Sequence, residues 1–365
     1  MITDGSTPST GATIYEVAAR AGVSIATVSR TFAGRAGVAP RTRDAVMTAA
    51  QELRYVPAAA ARALAVRRSR ALGVVLPHIA GPYYAQLLVG FEIAASDLGL
   101  SVVLALVSPS DHRADAVREL LGRVDGIAFM ARSGADDDAV ARVAAVRPTV
   151  TVARGRSAGA DAFYAENRGA ARELTRHLID HGRRRIGFVG LAEDGSDIGT
   201  RHRGYLAALE EAGLAPARHL RADPVEEAGH AVADQLLEGR GVTELDALVC
   251  GNDELAIAII ARLTAAGVRV PEDLAVTGWD DTLTARYLAP SLTTVRSDVD
   301  ALGGLAARRL AGRIDGEPVQ EPVTVDSTLV LRGSCGCPAP ALRPPAAPPH
   351  LARLSLTTIE SEESS

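Results

Sequence analysis

Apolar positions recur at helical spacing through the first fifty residues, then change character. Ile14, Val17, Ala18 and Ala21 share one face of a helix. Thr13 followed by Glu16 is a capping box that starts it. Gly22 stops it, because glycine accepts the left-handed backbone of a tight turn. Ser24 caps a second short helix over 24–30. A third, about 40–53, is predicted to set Ala45, Val46, Ala49 and Leu53 on one face. Helix, glycine turn and helix, closed by a third helix, make a helix-turn-helix head. From Ala71 short apolar runs alternate with helical stretches. Strands are predicted at 72–77, 101–106, 126–130, 149–153, 185–190, 247–250 and 274–277, and helices at 84–98, 167–181, 200–212 and 253–266. Strands separated by helices imply right-handed βαβ units and parallel sheets. The two halves share this layout, which predicts two lobes with a ligand cleft beside the carboxyl ends of their strands. The expected fold class is therefore α/β: a helix-turn-helix head plus a two-lobed core of parallel sheets with flanking helices.

Charge sharpens the division of labour. Residues 11–70 hold ten Arg against Glu16, Asp44 and Glu52, or +7, while the whole chain is −5, so the remainder carries −12. A basic head on an acidic body fits a protein whose head alone meets a polyanion; a solvated helical surface gives the same count. If the head reads DNA, its second helix lies in the major groove with its N-terminal residues at base edges. Ile25 and Ala26 then offer apolar contact, as to a thymine methyl. Arg30 can pair bidentately with guanine. Ser24, Thr27 and Ser29 suit phosphates. A plain three-helix interaction module is the alternative. Residues 58–66 (AAAARALAV) form either an Ala-rich linker or a short helix too marginal to hold alone in water.

The wording of the head goes beyond the generic motif. Tyr15-Glu16-Val17-Ala18, Ala21-Gly22-Val23-Ser24, Thr27-Val28-Ser29-Arg30 and Tyr55-Val56-Pro57 closely resemble the LacI/GalR (lac-repressor/galactose-repressor) family. The resemblance runs on through Gly73-Val74-Val75-Leu76-Pro77, Gly81-Pro82-Tyr83-Tyr84, Val124-Asp125-Gly126-Ile127, Arg201-His202-Arg203-Gly204-Tyr205, Gly251-Asn252-Asp253, Gly278-Trp279-Asp280-Asp281 and Pro290-Ser291-Leu292-Thr293-Thr294-Val295. It covers residues 13 to 333 in order.

It implies a sensor core similar to periplasmic sugar-binding proteins. It also implies a DNA-contacting set of Tyr15, Ser24, Ile25, Ala26, Thr27, Ser29, Arg30 and Leu64. Ile25 and Ala26 help to choose the operator, and Leu64 wedges into the minor groove from a hinge helix. Where the family usually has Asn after the hinge proline this chain has Ala58, a lost cap of about 1 kcal/mol. Carried over residue by residue, the effector site uses Tyr83 and Tyr84 from the first lobe with Arg201, Asn252 and Asp280 from the second. Asp281 is expected to cap, Arg203 to be an exposed charge, and Trp279 to pack beneath the site. Two departures bear on the ligand. Pro224 stands where many relatives have a stacking aromatic, and Arg154 follows Ala153 where an acid is usual, which would suit an acidic or phosphorylated ligand.

The implied organisation is an N-terminal extension (1–12) and a head (13–57), then a hinge (58–69) and a core (70–333). The first lobe spans about 70–166 and 296–326, and the second about 167–293 and 327–333. A Pro-rich disordered tail (334–365) has no leucine heptads, so a homodimer is expected, and two heads predict a pseudo-palindromic double-stranded operator. The ligand is expected to be a sugar or sugar phosphate, with no cofactor and no metal. Cys250, Cys335 and Cys337 form no disulfide framework. Cys335-Gly336-Cys337 is read as incidental thiols, since the eight His show neither metal nor triad spacing. No run of 18 apolar residues or signal layout is found, so membrane insertion and export are not expected and the cytoplasm is. Two other classes share parts of this pattern. A solute-binding protein would have no use for the head. A Rossmann-like enzyme would need a catalytic constellation, and no GxGxxG or P-loop string is present.

Overall fold

Each helix of the head starts on the residue expected to start it. The structure, a computed structural model, describes residues 12–32, 37–55, 68–79, 81–107, 114–239 and 241–338. The extension up to residue 11, the hinge with Ala58 and Leu64, and the chain beyond 338 lie outside these residues. Helix α1 (Ile14–Ala21) opens with Thr13 N–H donating to Glu16 at 2.7 Å and Glu16 N–H donating back to the Thr13 hydroxyl. Gly22, at φ 64°, turns the chain. Ser24 Oγ accepts from Thr27 N–H at 3.2 Å and so caps α2 (Ile25–Phe32). Helix α3 (Pro40–Glu52) begins with proline in its first turn, where no N–H is missed. Val17, Ala18, Val28, Val46, Ala49 and Ala50 close the core. Ala45 is a correction: it is exposed, and Ala50 takes the inner position. Positions 46, 49, 50 and 53 form the i, i+3, i+4, i+7 stripe, and 45 falls outside it.

The first lobe is one parallel sheet. Its strands are β1 (Ala71–Leu76), β2 (Ser101–Leu106), β3 (Gly126–Met130), β4 (Thr149–Val152), β5 (Asp161–Ala165) and β11 (Val323–Val325), in the order β11-β5-β4-β3-β1-β2. The second lobe orders β6 (Ile186–Val189), β7 (Arg218–Leu220), β8 (Ala247–Cys250) and β9 (Ala275–Thr277) as β7-β6-β8-β9, again parallel. In both lobes the second strand lies outside the first and the third on its other side, so each has a switch point beside its first strand. Strands β10 (Thr294–Ser297) and β12 (Ser327–Val330) pair antiparallel and carry the chain between the lobes.

Helices cover the sheets. Helix α4 (Pro82–Asp97) packs on α13 (Val299–Ile314) in the first lobe, which also holds α5 (Ala114–Leu121) and α6 (Asp137–Ala144). In the second, α7 (Arg168–Asp180) packs on α8 (Asp197–Glu211) and α9 (Glu226–Glu238) on α11 (Asp253–Ala265), with short α10 (Gly241–Glu244) and α12 (Leu283–Tyr287). The α4–α13 contact is backbone to backbone: a Cβ on Gly90 would stand 1.9 Å from Asp300 O, and one on Gly303 2.1 Å from Leu87 O.

Strands β5, β7, β10, β11 and β12 were not foreseen. They are three to five residues long. Strand β5 also begins on a buried Asp161 held by Arg309 Nε (2.8 Å) and Gln320 N–H (2.8 Å), so no uninterrupted apolar run marks it. The tail is a second correction. Ser334 and Cys335 are fully buried in a 3₁₀ turn (Gly333–Cys335), and the described fold runs to Pro338, beyond the expected limit of 333.

Candidate functional site: a cleft between two lobes

The carboxyl ends of the strands of both lobes converge on one cleft. His78 follows β1, Ala131 and Arg132 follow β3, and Ala153 follows β4. From the other side come Leu191 after β6, Asn252 after β8 and Asp280 after β9. Tyr83 and Tyr84, in the first turn of α4, and Asp197 and Arg201, on α8, complete the walls. The switch points therefore face each other, the place where open parallel sheets bind small ligands.

The five residues expected to hold an effector all line this cleft, with different freedom to do so. Arg201 is buried and fixed. Its Nε donates to Asn167 Oδ1 at 2.8 Å, its Nη1 to Gly251 O at 2.6 Å, and its guanidinium lies 4.4 Å over the Trp279 ring. Nη2 is 3.9 Å from Asp197 and remains for a ligand. Trp279 is buried outside the cleft wall, beneath Arg201. Asp280, at φ 114°, turns its carboxylate to the cleft, and no donor among the described residues reaches it. Burial, and then Asp253, Glu254 and Asp197, hold its pKa well above the usual carboxylate range against the pull of Arg201. Tyr83 carries a buried hydroxyl without a partner. Burial first, then Asp197 and Asp280, raise its pKa. Tyr84 is committed elsewhere, its hydroxyl donating to Ala131 O at 2.9 Å, so it offers a ring edge only. Asn252 caps α11 by accepting from Leu255 N–H and donates to Pro224 O at 3.2 Å.

Several lining residues escaped the sequence reading. Asp197 and Arg201 are one turn apart on α8, an i, i+4 acid–base pair the sequence displays. Burial raises the Asp197 pKa, opposed by Arg201 and by a hydrogen bond with Asn167. Arg132 reaches across the cleft mouth to Asp223 at 2.7 Å. His78, whose pKa burial lowers, stacks edge-on against Tyr84. No motif names Arg132 or His78; the signal that could have found them is their place just past the carboxyl ends of strands β3 and β1. Arg154 goes the other way: it does not line the cleft and is held by Asp137 at 2.9 Å. The histidine spacing also needs correcting. His177, in the last turn of α7, and His181, its C-cap, are four residues apart, and their rings meet Cys337.

Next to Asp280, Asp281 is a structural node rather than a helix cap. Its buried carboxylate takes Arg296 Nε at 2.7 Å, Arg286 at 3.2 Å and Arg332. Arg296 belongs to β10, and Arg332 follows β12. The 280–281 turn is therefore tied by ion pairs to the crossover between lobes. Arg203 is exposed, paired with Asp194 only at 3.8 Å.

In the head, Tyr15 of α1 (68% exposed) and Ile25 (41% exposed), Ala26, Ser29 and Arg30 of α2 stand on the surface. Ser24 and Thr27 hydroxyls bond to each other at 2.9 Å, and Arg30 reaches Thr27 Oγ1 at 3.4 Å.

Comparison with known proteins covers both parts. Residues 13–58 match the model of bacterial regulatory proteins of the lacI family, and 175–335 match a periplasmic binding protein-like domain. The transcriptional regulator CelR of Thermobifida fusca is 34% identical over 342 residues, 88% of this chain and 98% of that protein. The transcriptional repressor PurR of Haemophilus influenzae is 32% identical over 333 residues, again 88% and 98%. The lac repressor dimer bound to operator and an anti-inducer superposes with a TM-score of 0.79 at 28% identity, covering 89% of this chain and 99% of that one. Head, lobes and crossover thus agree along nearly the whole length with proteins that regulate transcription, and the chain belongs to the lacI family of bacterial DNA-binding transcriptional regulators.

Proposed function

We propose that this regulator is a homodimeric repressor whose grip on a pseudo-palindromic operator is set by a neutral, polyhydroxylated ligand, a sugar, held between its lobes. One observation carries the ligand class. Tyr83 hydroxyl, Asp280 carboxylate and Arg201 Nη2, one from the first lobe and two from the second, are unspent polar groups on one cleft. An acceptor pair, a donor fork and a hydroxyl match vicinal hydroxyls. Four carboxylates (Glu193, Asp197, Glu254, Asp280) outnumber Arg132 and Arg201 in the lining, which disfavours a phosphate. A solved complex of a transcriptional regulator CelR with cellobiose, at 31% identity and a TM-score of 0.64, supports the same class.

A ligand that touches both lobes favours the state in which both sets of contacts form. The Asp281 node then links the ligand turn to the crossover strands, and DNA affinity changes by the coupling free energy. The dimer is supported by apolar side chains exposed on one side of the first lobe, including Val89, Ile93, Leu98, Leu104 and Leu106. Repression is exercised in the cytoplasm, where the operator lies. The cleft binds and does not catalyse. No helix among the described residues is long and apolar enough to cross a membrane. The test is a thermal-shift panel of neutral mono- and disaccharides beside their phosphates. Neutral sugars are expected to raise the melting temperature. A response to phosphates alone would reverse the assignment.

A further inference from the structure

Away from the cleft, the end of the described chain folds back onto the second lobe and brings two thiols to two imidazoles. His177 projects from the last turn of α7 and His181 is its C-cap. Residues four apart lie on one helical face, and their ring centroids are 4.4 Å apart. Cys337 Sγ is 3.5 Å from His177 Nε2 and 3.5 Å from His181 Nε2. The three ligating atoms all lie within 4.8 Å of one another. Cys335 Sγ is 3.3 Å from the same His177 Nε2, and the Thr293 hydroxyl is 3.1 Å from that sulfur.

These separations have a geometric meaning. With Zn–S of about 2.3 Å and Zn–N of about 2.0–2.1 Å, a tetrahedral zinc site has N···S edges of roughly 3.5 Å. The three N···S distances here are of that length. Two thiols and two imidazoles form a donor set suited to zinc and unsuited to calcium or magnesium. Cys335 Sγ touches His177 but stands outside the group of three, and it would close the fourth position by moving toward His181 as metal binds, which leaves no open position and makes the chemistry structural.

We propose that His177, His181, Cys335 and Cys337 form a Cys2His2 zinc site that staples the C-terminal segment to α7. The ligands come from two chain segments 154 residues apart, counted from His181 to Cys335. The site would therefore fix the segment that follows the Arg332 crossover contact against the lobe that carries Arg201. It acts on the stability of that lobe, not on the ligand cleft or the DNA-reading helix.

The experiment uses the full chain, purified under reducing conditions and stripped of metal. Cobalt(II) titration is expected to give tetrahedral ligand-field bands with sulfur-to-cobalt charge transfer at one equivalent per chain, and zinc is expected to displace the cobalt. Zinc should raise the melting temperature of the parent. His181 is exposed and Cys337 half-buried, so His181→Ala and Cys337→Ser should fold, with sugar and operator binding as folding checks. Each should lower metal affinity by at least about 100-fold. The proposal is overturned if the chain takes up no cobalt, if charge transfer is absent, or if both variants bind metal like the parent. It is equally overturned if the thiols are found as a Cys335–Cys337 disulfide and the reduced chain binds no metal.

Discussion

Replacing Asp280 by Asn should separate ligand binding from stability in opposite directions. The substitution keeps the shape and removes the charge. No donor among the described residues reaches the Asp280 carboxylate, so the change strands no protein group. Burial and the neighbouring Asp253, Glu254 and Asp197 all oppose its ionisation, with Arg201 alone opposing them. Neutralisation removes that conflict. A gain of about 0.5–2 kcal/mol is typical when a strained functional group is relieved, which appears as a melting temperature higher by a few degrees. Ligand binding loses a charge-assisted acceptor, about 1.5–3 kcal/mol, or roughly 10- to 150-fold in Kd. The assay is a urea melt alongside calorimetric titration with the neutral sugar that scores best in the thermal-shift panel. A variant that is less stable than the parent and binds that sugar equally well would refute the reasoning.

Other substitutions test other parts of the account. Arg201→Lys keeps a charge but cannot serve both Asn167 Oδ1 and Gly251 O; a buried acceptor left unpaired costs about 1–3 kcal/mol, so denaturant melts should show lower stability together with weaker sugar binding. Acidification should weaken sugar binding before ordinary carboxylates near 3.9 take up protons, because burial raises the pKa values of Asp197 and Asp280. The sign for stability is opposite. Folded-state pKa values above the unfolded ones give stability that is present in acid and lost as pH rises through the folded values, so Asp280→Asn should flatten this part of the urea midpoint profile. Gly90→Ala places a Cβ 1.9 Å from Asp300 O between α4 and α13 and should destabilise by about 1–3 kcal/mol in the same melts. Arg30→Ala should weaken operator binding by about 1–3 kcal/mol and relax preference at one base pair, read by anisotropy on a set of single-base operator variants.

Much of this protein is legible in its sequence where local rules decide. Thr13, Glu16, Gly22 and Ser24 place the head helices because caps and turns depend on neighbours in the chain. Six of the seven apolar strands read as strands because they are buried on both faces, while edge strand β2 reads as one from its apolar run alone. Strands β10, β11 and β12 are short and mixed, and β11 pairs with a strand far back along the chain, while β5 is broken at its start by Asp161, so no local rule finds them. The site divides in the same way. Motif strings lead to Arg201 and Asp280, while only their place just past β3 and β1 marks Arg132 and His78. Tyr84 and Asn252 show a further limit, since residue type says what a side chain can bond but not that Ala131 O, Leu255 N–H and Pro224 O already occupy it. His177 and His181 carry helical spacing, yet the fold-back that brings Cys337 to them is tertiary.

The central claim is that filling the cleft changes the hold on DNA. Its most direct test is an anisotropy titration of the full chain on its operator at two salt concentrations, with and without a sugar shown to bind the cleft. The account predicts sequence-selective binding that weakens steeply with salt and changes at least about fivefold when the sugar is present. Operator affinity that stays the same at saturating sugar, or binding that ignores operator sequence, would contradict it.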